Sequence, residues 1–114
     1  MAEPKKLTSR TNTPFKLSLE VCLDNKYCFS KLKAEHLRIL DSFLAETVGK
    51  NLTVSEAERL FLRTRGPKET ACFQGERRTI YHYGKDKKSF RIHGYNNNGY
   101  FVITKIDPNH KVHK

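Results

Sequence analysis

One stretch constrains this chain more than any other: residues 89–113, SFRIHGYNNNGYFVITKIDPNHKVH. Two strand-like runs, 90–95 and 100–106, flank Asn96, Asn97, Asn98 and Gly99. An Asn-Gly step between apolar runs is the strongest short-range hairpin signal, because both residues accept the positive φ of a tight turn. Side chains alternate faces along a strand, so the length of the loop decides which residues share a face. A two-residue loop (Asn98-Gly99) and a four-residue loop (Asn96 to Gly99) give the same parity, whereas a three-residue loop would scramble it. That parity places Phe90, Ile92, Gly94, Phe101, Ile103 and Lys105 on one face, which reads as the core side. Arg91, His93, Tyr95, Tyr100, Val102, Thr104 and Ile106 fall on the other. A face that mixes a guanidinium, an imidazole and two phenols is expected to stay open to a ligand.

The remaining pattern supplies a sheet and two helices. Residues 1–14 hold Lys5, Lys6, Arg10, Pro4 and Pro14 with little apolar content and read as a flexible basic arm; residues 15–114 form one domain. Phe15, Leu17, Leu19, Val21 and Leu23 alternate with Lys16, Ser18, Glu20, Cys22 and Asp24, the period-two signature of a half-buried strand. Asp24-Asn25 starts a turn, and residues 27–29 briefly return as a second strand. Ser30 is then the expected N-cap of a helix whose apolar stripe is Leu37, Leu40, Phe43, Leu44 and Val48, with Gly49 at its C′ position. Thr53-Val54-Ser55-Glu56 is a capping box that opens a second helix, which Gly66-Pro67 stops. Residues 66–77 read as a loop, 78–83 as a strand, and Gly84 to Lys88 as a basic turn. The predicted architecture is therefore α+β: a two-helix hairpin packed on one face of a mainly antiparallel sheet, in the order strand, helix, helix, strand, strand, strand.

Charge points to the partner. The chain of 114 residues carries 22 Lys and Arg against 12 Asp and Glu, a formal charge of +10. Such an excess favours a polyanion, either nucleic acid or an acidic protein surface. No apolar run approaches the roughly 20 residues a spanning helix needs, and the N-terminal residues carry no secretory h-region, so a cytoplasmic location is expected. Cys22, Cys28 and Cys72 form no CxxC pair and read as reduced thiols, and no Cys/His spacing matches a zinc site.

Familiar catalytic motifs are missing: no P-loop, GxGxxG, HExxH or nucleophile elbow occurs. No cofactor and no metal is expected, since Glu69, Glu76, Asp86 and Asp107 are the only carboxylate side chains after Gly66 and show no recognisable metal spacing. What remains is Arg, Lys, His and Tyr interleaved with strands. Lys85, Lys87, Lys88, Arg59 and Arg63 can neutralise phosphates, and Tyr95 and Tyr100 can stack on unpaired bases. The same set could cleave RNA without metal, with one base on the 2′-hydroxyl, one acid on the leaving 5′-oxygen and a cation on the phosphorus charge. His93 and His110 are the proton-transfer candidates and Arg91 the charge stabiliser.

Element order, small size, high isoelectric point and a basic-aromatic sheet together resemble the RelE/ParE-type toxins of bacterial toxin–antitoxin systems. The resemblance spans residues 15–113 at the level of topology, with no motif matched residue by residue. It implies a strand, two helices and an antiparallel sheet, and metal-free cleavage of ribosome-bound mRNA. The ending GYNNNGYFVITKIDPNHKVH also resembles small proteins of bacteria and mobile elements, which imply no function. The expected function is nucleic-acid binding, RNA before DNA; metal-free endoribonuclease activity of toxin type is an option beside it rather than the expectation. The alternative is a non-catalytic inhibitor or adaptor that uses its basic surface or an exposed sheet edge on an acidic protein.

Overall fold

A computed structural model describes residues 13–63, 69–84 and 89–109. It is an α+β structure: two helices and a mixed sheet that curls into a half-barrel. The strands are β1 (Leu17–Ser18), β2 (Leu62–Arg63), β3 (Glu69–Phe73), β4 (Glu76–Gly84), β5 (Arg91–Asn97) and β6 (Tyr100–Asp107). The helices, α1 (Ala34–Glu46) and α2 (Val54–Phe61), lie between β1 and β2. The strand order is β1-β6-β5-β4-β2, with β3 also paired to β4. β4 carries β3 along Glu76–Ile80 and β2 at His82–Tyr83, so two short strands share its outer edge. No helix among the described residues is long and apolar enough to cross a membrane.

The C-terminal hairpin forms as the Asn-Gly step dictates. Asn97 pairs with Tyr100, and Asn98 and Gly99 take φ of 53° and 84° in a two-residue turn. The predicted parity holds near the tip and fails further down. His93 pairs with Lys105 and Gly94 with Ile103, so Thr104 is an extra residue, a β-bulge. Beyond the bulge the faces exchange. Ile106 packs in the helix-side core rather than beside His93, and Lys105 lies opposite His93 rather than beside Ile92.

The helix-side core joins Phe15, Leu40, Phe43, Val54, Ala57 and Phe61 to Tyr83, Ile92, Phe101, Ile103 and Ile106 of the sheet. Aromatic edges dominate it: Tyr83 meets Phe101 at 4.7 Å and Phe15 at 5.3 Å, and Phe43 meets Phe61 at 5.4 Å. The capping box behaves as its sequence predicts. The Glu56 N–H donates to Thr53 Oγ1 at 3.2 Å, and the Thr53 N–H donates to Glu56 Oε1 at 2.9 Å.

Expectations for the helices and for the loop after them are corrected. Ser30 lies in a 3-10 turn (Phe29–Lys31), and the N-cap of α1 is Lys33, whose N–H donates to His36 Nδ1 at 3.0 Å. The buried stripe of α1 is consequently His36, Leu40 and Phe43, while Leu37 is 48% and Val48 43% exposed. Gly49 is not a left-handed cap; a Cβ there would sit 2.5 Å from the carbonyl oxygen of Ala45, so glycine serves close approach instead. The predicted loop 66–77 contains β3 and a second tight hairpin, turned by Gln74 and Gly75 at φ of 52° and 82°.

The long strand predicted over 15–23 is paired only at Leu17 and Ser18, parallel to Phe101 and Val102 of β6. After Leu19 the chain leaves the sheet edge and folds towards the face away from the helices. Asn97 Nδ2 donates to Glu20 Oε1 (3.0 Å), Gln74 Nε2 to the Glu20 carbonyl (3.4 Å), and the Asp24 N–H to the Thr104 carbonyl (3.1 Å). Val21 therefore packs on a second small core of Ile80, Tyr95 and Val102 with Ala71 and Phe73. Of the predicted arm, Thr13 and Pro14 are described and bridge to α2's start, Val54 N–H donating to the Thr13 carbonyl at 2.8 Å; residues 1–12 lie outside the described residues.

Candidate functional site: a two-histidine, two-arginine cluster

The face away from the helices is not open. Phe73 stacks on Tyr95 with ring centroids 5.1 Å apart, the Arg78 guanidinium covers the same ring at 4.9 Å, and Tyr95 is 1% exposed. Tyr95 thus has no ring face to offer a base, which removes it as a stacking platform. The cause is the curl of the sheet, which brings β3 and residues 19–24 over what a flat sheet would have left exposed.

Cross-strand pairing builds a polar cluster on the same face, towards the other end of β4 and β5. Directly opposite residues share a face. Arg63 pairs with His82, His82 with His93, and His93 with Lys105. The next row pairs Gly84 with Arg91 and Arg91 with Asp107. Glu69 pairs with Ile80, two residues before His82, and so joins from the third direction.

The geometry within the cluster is close. The His82 and His93 rings stack at 3.9 Å between centroids with 19° between planes. His82 Nε2 lies 3.1 Å from Glu69 Oε1. Arg63 and Arg91 meet over Gly84, where a Cβ would fall 2.6 Å from Arg63 Nε and 2.8 Å from Arg91 Nη1. Only a residue without a side chain leaves both guanidiniums there. Burial, first, and the neighbouring Arg63 charge, second, pull the Arg91 pKa below its ordinary value, while Asp107 opposes them. Arg91 nonetheless keeps its charge throughout the physiological range. Asp107 is 1% exposed and is best read as the buried counter-charge of Arg91, not merely a turn residue.

Of the predicted site residues, the fold brings Arg63, Arg91 and His93 together. His93 is 1% exposed, so its imidazole is a buried member of the cluster and not a surface proton-transfer group. Arg59 is exposed on α2, and Tyr100 stands 39% exposed at the hairpin tip beside the Lys16 ammonium (5.7 Å), at the far end of β6 from Asp107. Lys85, Lys87, Lys88 and His110 lie outside the described residues.

Sequence reasoning missed Glu69, His82 and the role of Asp107. A signal for Glu69 was present: a two-residue turn at Gln74-Gly75 pairs residue 69 with residue 80 and so puts it on the His82 face. No comparable signal pairs His82 with His93, because the connection between β4 and β5 carries no tight-turn step. No protein-family model, curated protein or solved structure matches the chain.

Proposed function

We propose that this protein binds nucleic acid, RNA before DNA, and that Arg63 and Arg91 grip a phosphate at the polar end of the curled face. The observation that carries this reading is the approach of the two guanidiniums over Gly84 in a chain of formal charge +10. Burial first and the neighbouring Arg63 charge second lower the Arg91 pKa, and Asp107 offsets part of that. A bridging phosphate oxygen would add counter-charge beside Asp107 and accept from both planar forks, the geometry in which arginine outperforms lysine. Arg59, Lys85, Lys87 and Lys88 add to the positive charge that attracts a polyanion.

The toxin-type resemblance rests on element order and composition, and it adds strand cleavage to binding. His93 is too buried to take a proton from a 2′-hydroxyl, so the half-buried His82, paired with Glu69, is the group that would do so.

Fluorescence anisotropy of a labelled single-stranded RNA, and of the same sequence as DNA, across a KCl series tests the reading. Each of Arg63→Gln and Arg91→Gln is expected to lower the salt slope by about 0.7, the share of one phosphate contact on a single strand. Slopes unchanged in both variants would overturn the arginine site. Denaturing gels of the same samples in excess chelator read cleavage, which His82→Asn is expected to abolish; intact RNA with wild-type protein would confine the function to binding. Absence of any salt-sensitive shift, with a stoichiometric protein retained from nuclease-treated lysate, would favour the adaptor reading.

A further inference from the structure

We propose that Glu69, His82 and His93 form a binding site for a divalent transition-metal cation, zinc foremost. The three side chains come from three adjacent strands, β3, β4 and β5, and point to one side of the sheet. One donor atom from each lies within 4.8 Å of the other two, and the Glu69 and His82 donors are 3.1 Å apart. Donors around a tetrahedral zinc ion at bond lengths of about 2.0–2.2 Å are separated by roughly 3.3 Å. Closing the triangle asks donors that already lie within 4.8 Å of one another to draw together to that spacing. The stacked imidazoles must turn out of their parallel arrangement so that both lone pairs converge with the Glu69 carboxylate.

Chemistry supports zinc over the hard cations. Two imidazoles and one carboxylate suit zinc and its first-row neighbours, whereas calcium and magnesium prefer sets made wholly of oxygen. Three protein ligands also leave a fourth position for water or a substrate atom.

The bulge at Thr104 helps to hold the site in shape. It lies across from His93, and Thr104 Oγ1 donates to the His93 carbonyl at 3.2 Å, fixing the backbone from which the imidazole projects. Bulges recur where a sheet must re-aim a functional side chain. The site shares His82 and Glu69 with the cleavage reading, and a bound metal would take the His82 lone pair that proton transfer needs; metal binding is therefore tested with metal alone.

The test is titration of the chelator-stripped full-length chain with Co2+ as a spectroscopic probe and with Zn2+ as competitor. One equivalent of Co2+ is expected to give visible d–d absorption of four-coordinate type, bleached by one equivalent of Zn2+. Zn2+ is also expected to raise the melting temperature reversibly, since only the folded chain assembles the donors. Glu69→Gln and His82→Asn, both at half-buried positions, should each weaken Co2+ affinity by at least about 100-fold while far-UV circular dichroism confirms the fold. These two variants carry the test, because His93→Ala would open a cavity and mix loss of a ligand with loss of packing. Unchanged affinity in both variants would overturn the proposal, as would a thiolate-to-cobalt charge-transfer band, which would place the metal on Cys22, Cys28 or Cys72.

Discussion

Replacing Gly94 by alanine tests the packing of the sheet most severely. Gly94 does not occupy the left-handed region, so its need is steric. A Cβ at this position would stand 2.0 Å from the Val102 carbonyl oxygen and 2.8 Å from Phe101 Cζ. Ordinary contacts between carbon and a carbonyl oxygen begin near 3.3 Å, so the overlap is about 1.3 Å. The oxygen belongs to the backbone of β6 and cannot swing aside as a side chain can. Relief requires β6 to move from β5, which weakens about two ladder hydrogen bonds at roughly 1 kcal/mol each and repacks Phe101 at a further 1–3 kcal/mol. Gly94→Ala is therefore expected to cost about 3–5 kcal/mol, a large share of the 5–15 kcal/mol typical of a domain. Urea unfolding followed by far-UV circular dichroism measures it as a fall in midpoint at constant m-value. Gly75→Ala is the internal comparison: φ there is +82° with nothing within 4 Å, so the cost is conformational and about 1 kcal/mol. A loss below about 1 kcal/mol for Gly94→Ala would refute the close approach of β5 and β6 at this point.

Three further outcomes follow from individual contacts. Gly84→Ala would place a Cβ 2.6 Å from Arg63 Nε and 2.8 Å from Arg91 Nη1, so both arginine side chains must shift and RNA binding should weaken; undiminished binding would show that the arginine pair is not engaged. Thr53→Ala removes the acceptor for the Glu56 N–H and should cost about 1 kcal/mol in the same unfolding assay, with no effect refuting the capping box. The Ser30 hydroxyl, 3.3 Å from Cys28 Sγ, lowers the pKa of that thiol by stabilising the thiolate, so Ser30→Ala should move the midpoint of its alkylation–pH profile upward. An unmoved midpoint would remove Ser30 as the cause.

The legible parts of this protein were those decided by neighbours in sequence. Asn98-Gly99 sets a hairpin because a local backbone requirement meets the two residues best able to fulfil it. Thr53 and Glu56 cap a helix because their partners lie three residues away. Net charge is a sum over residues and needs no fold. Parity carried correctly from the turn as far as Gly94 and Ile103, and a single unpaired residue, Thr104, then exchanged the faces of Lys105 and Ile106. Pattern could not locate that bulge, since a run such as YFVITKID is compatible with a regular ladder throughout. Tertiary structure alone decided what covers each face. Alternation marked residues 15–23 as a strand, yet beyond Ser18 the chain gains more by capping Tyr95 and Val102 with Val21 and by bonding to Thr104 and Asn97 than by continuing along the edge. The same curl turned an apparently exposed His93 into a buried one and set it against His82 and Glu69. Local rules fix which way a side chain points along its own strand; only the closing of the sheet decides what that side chain meets.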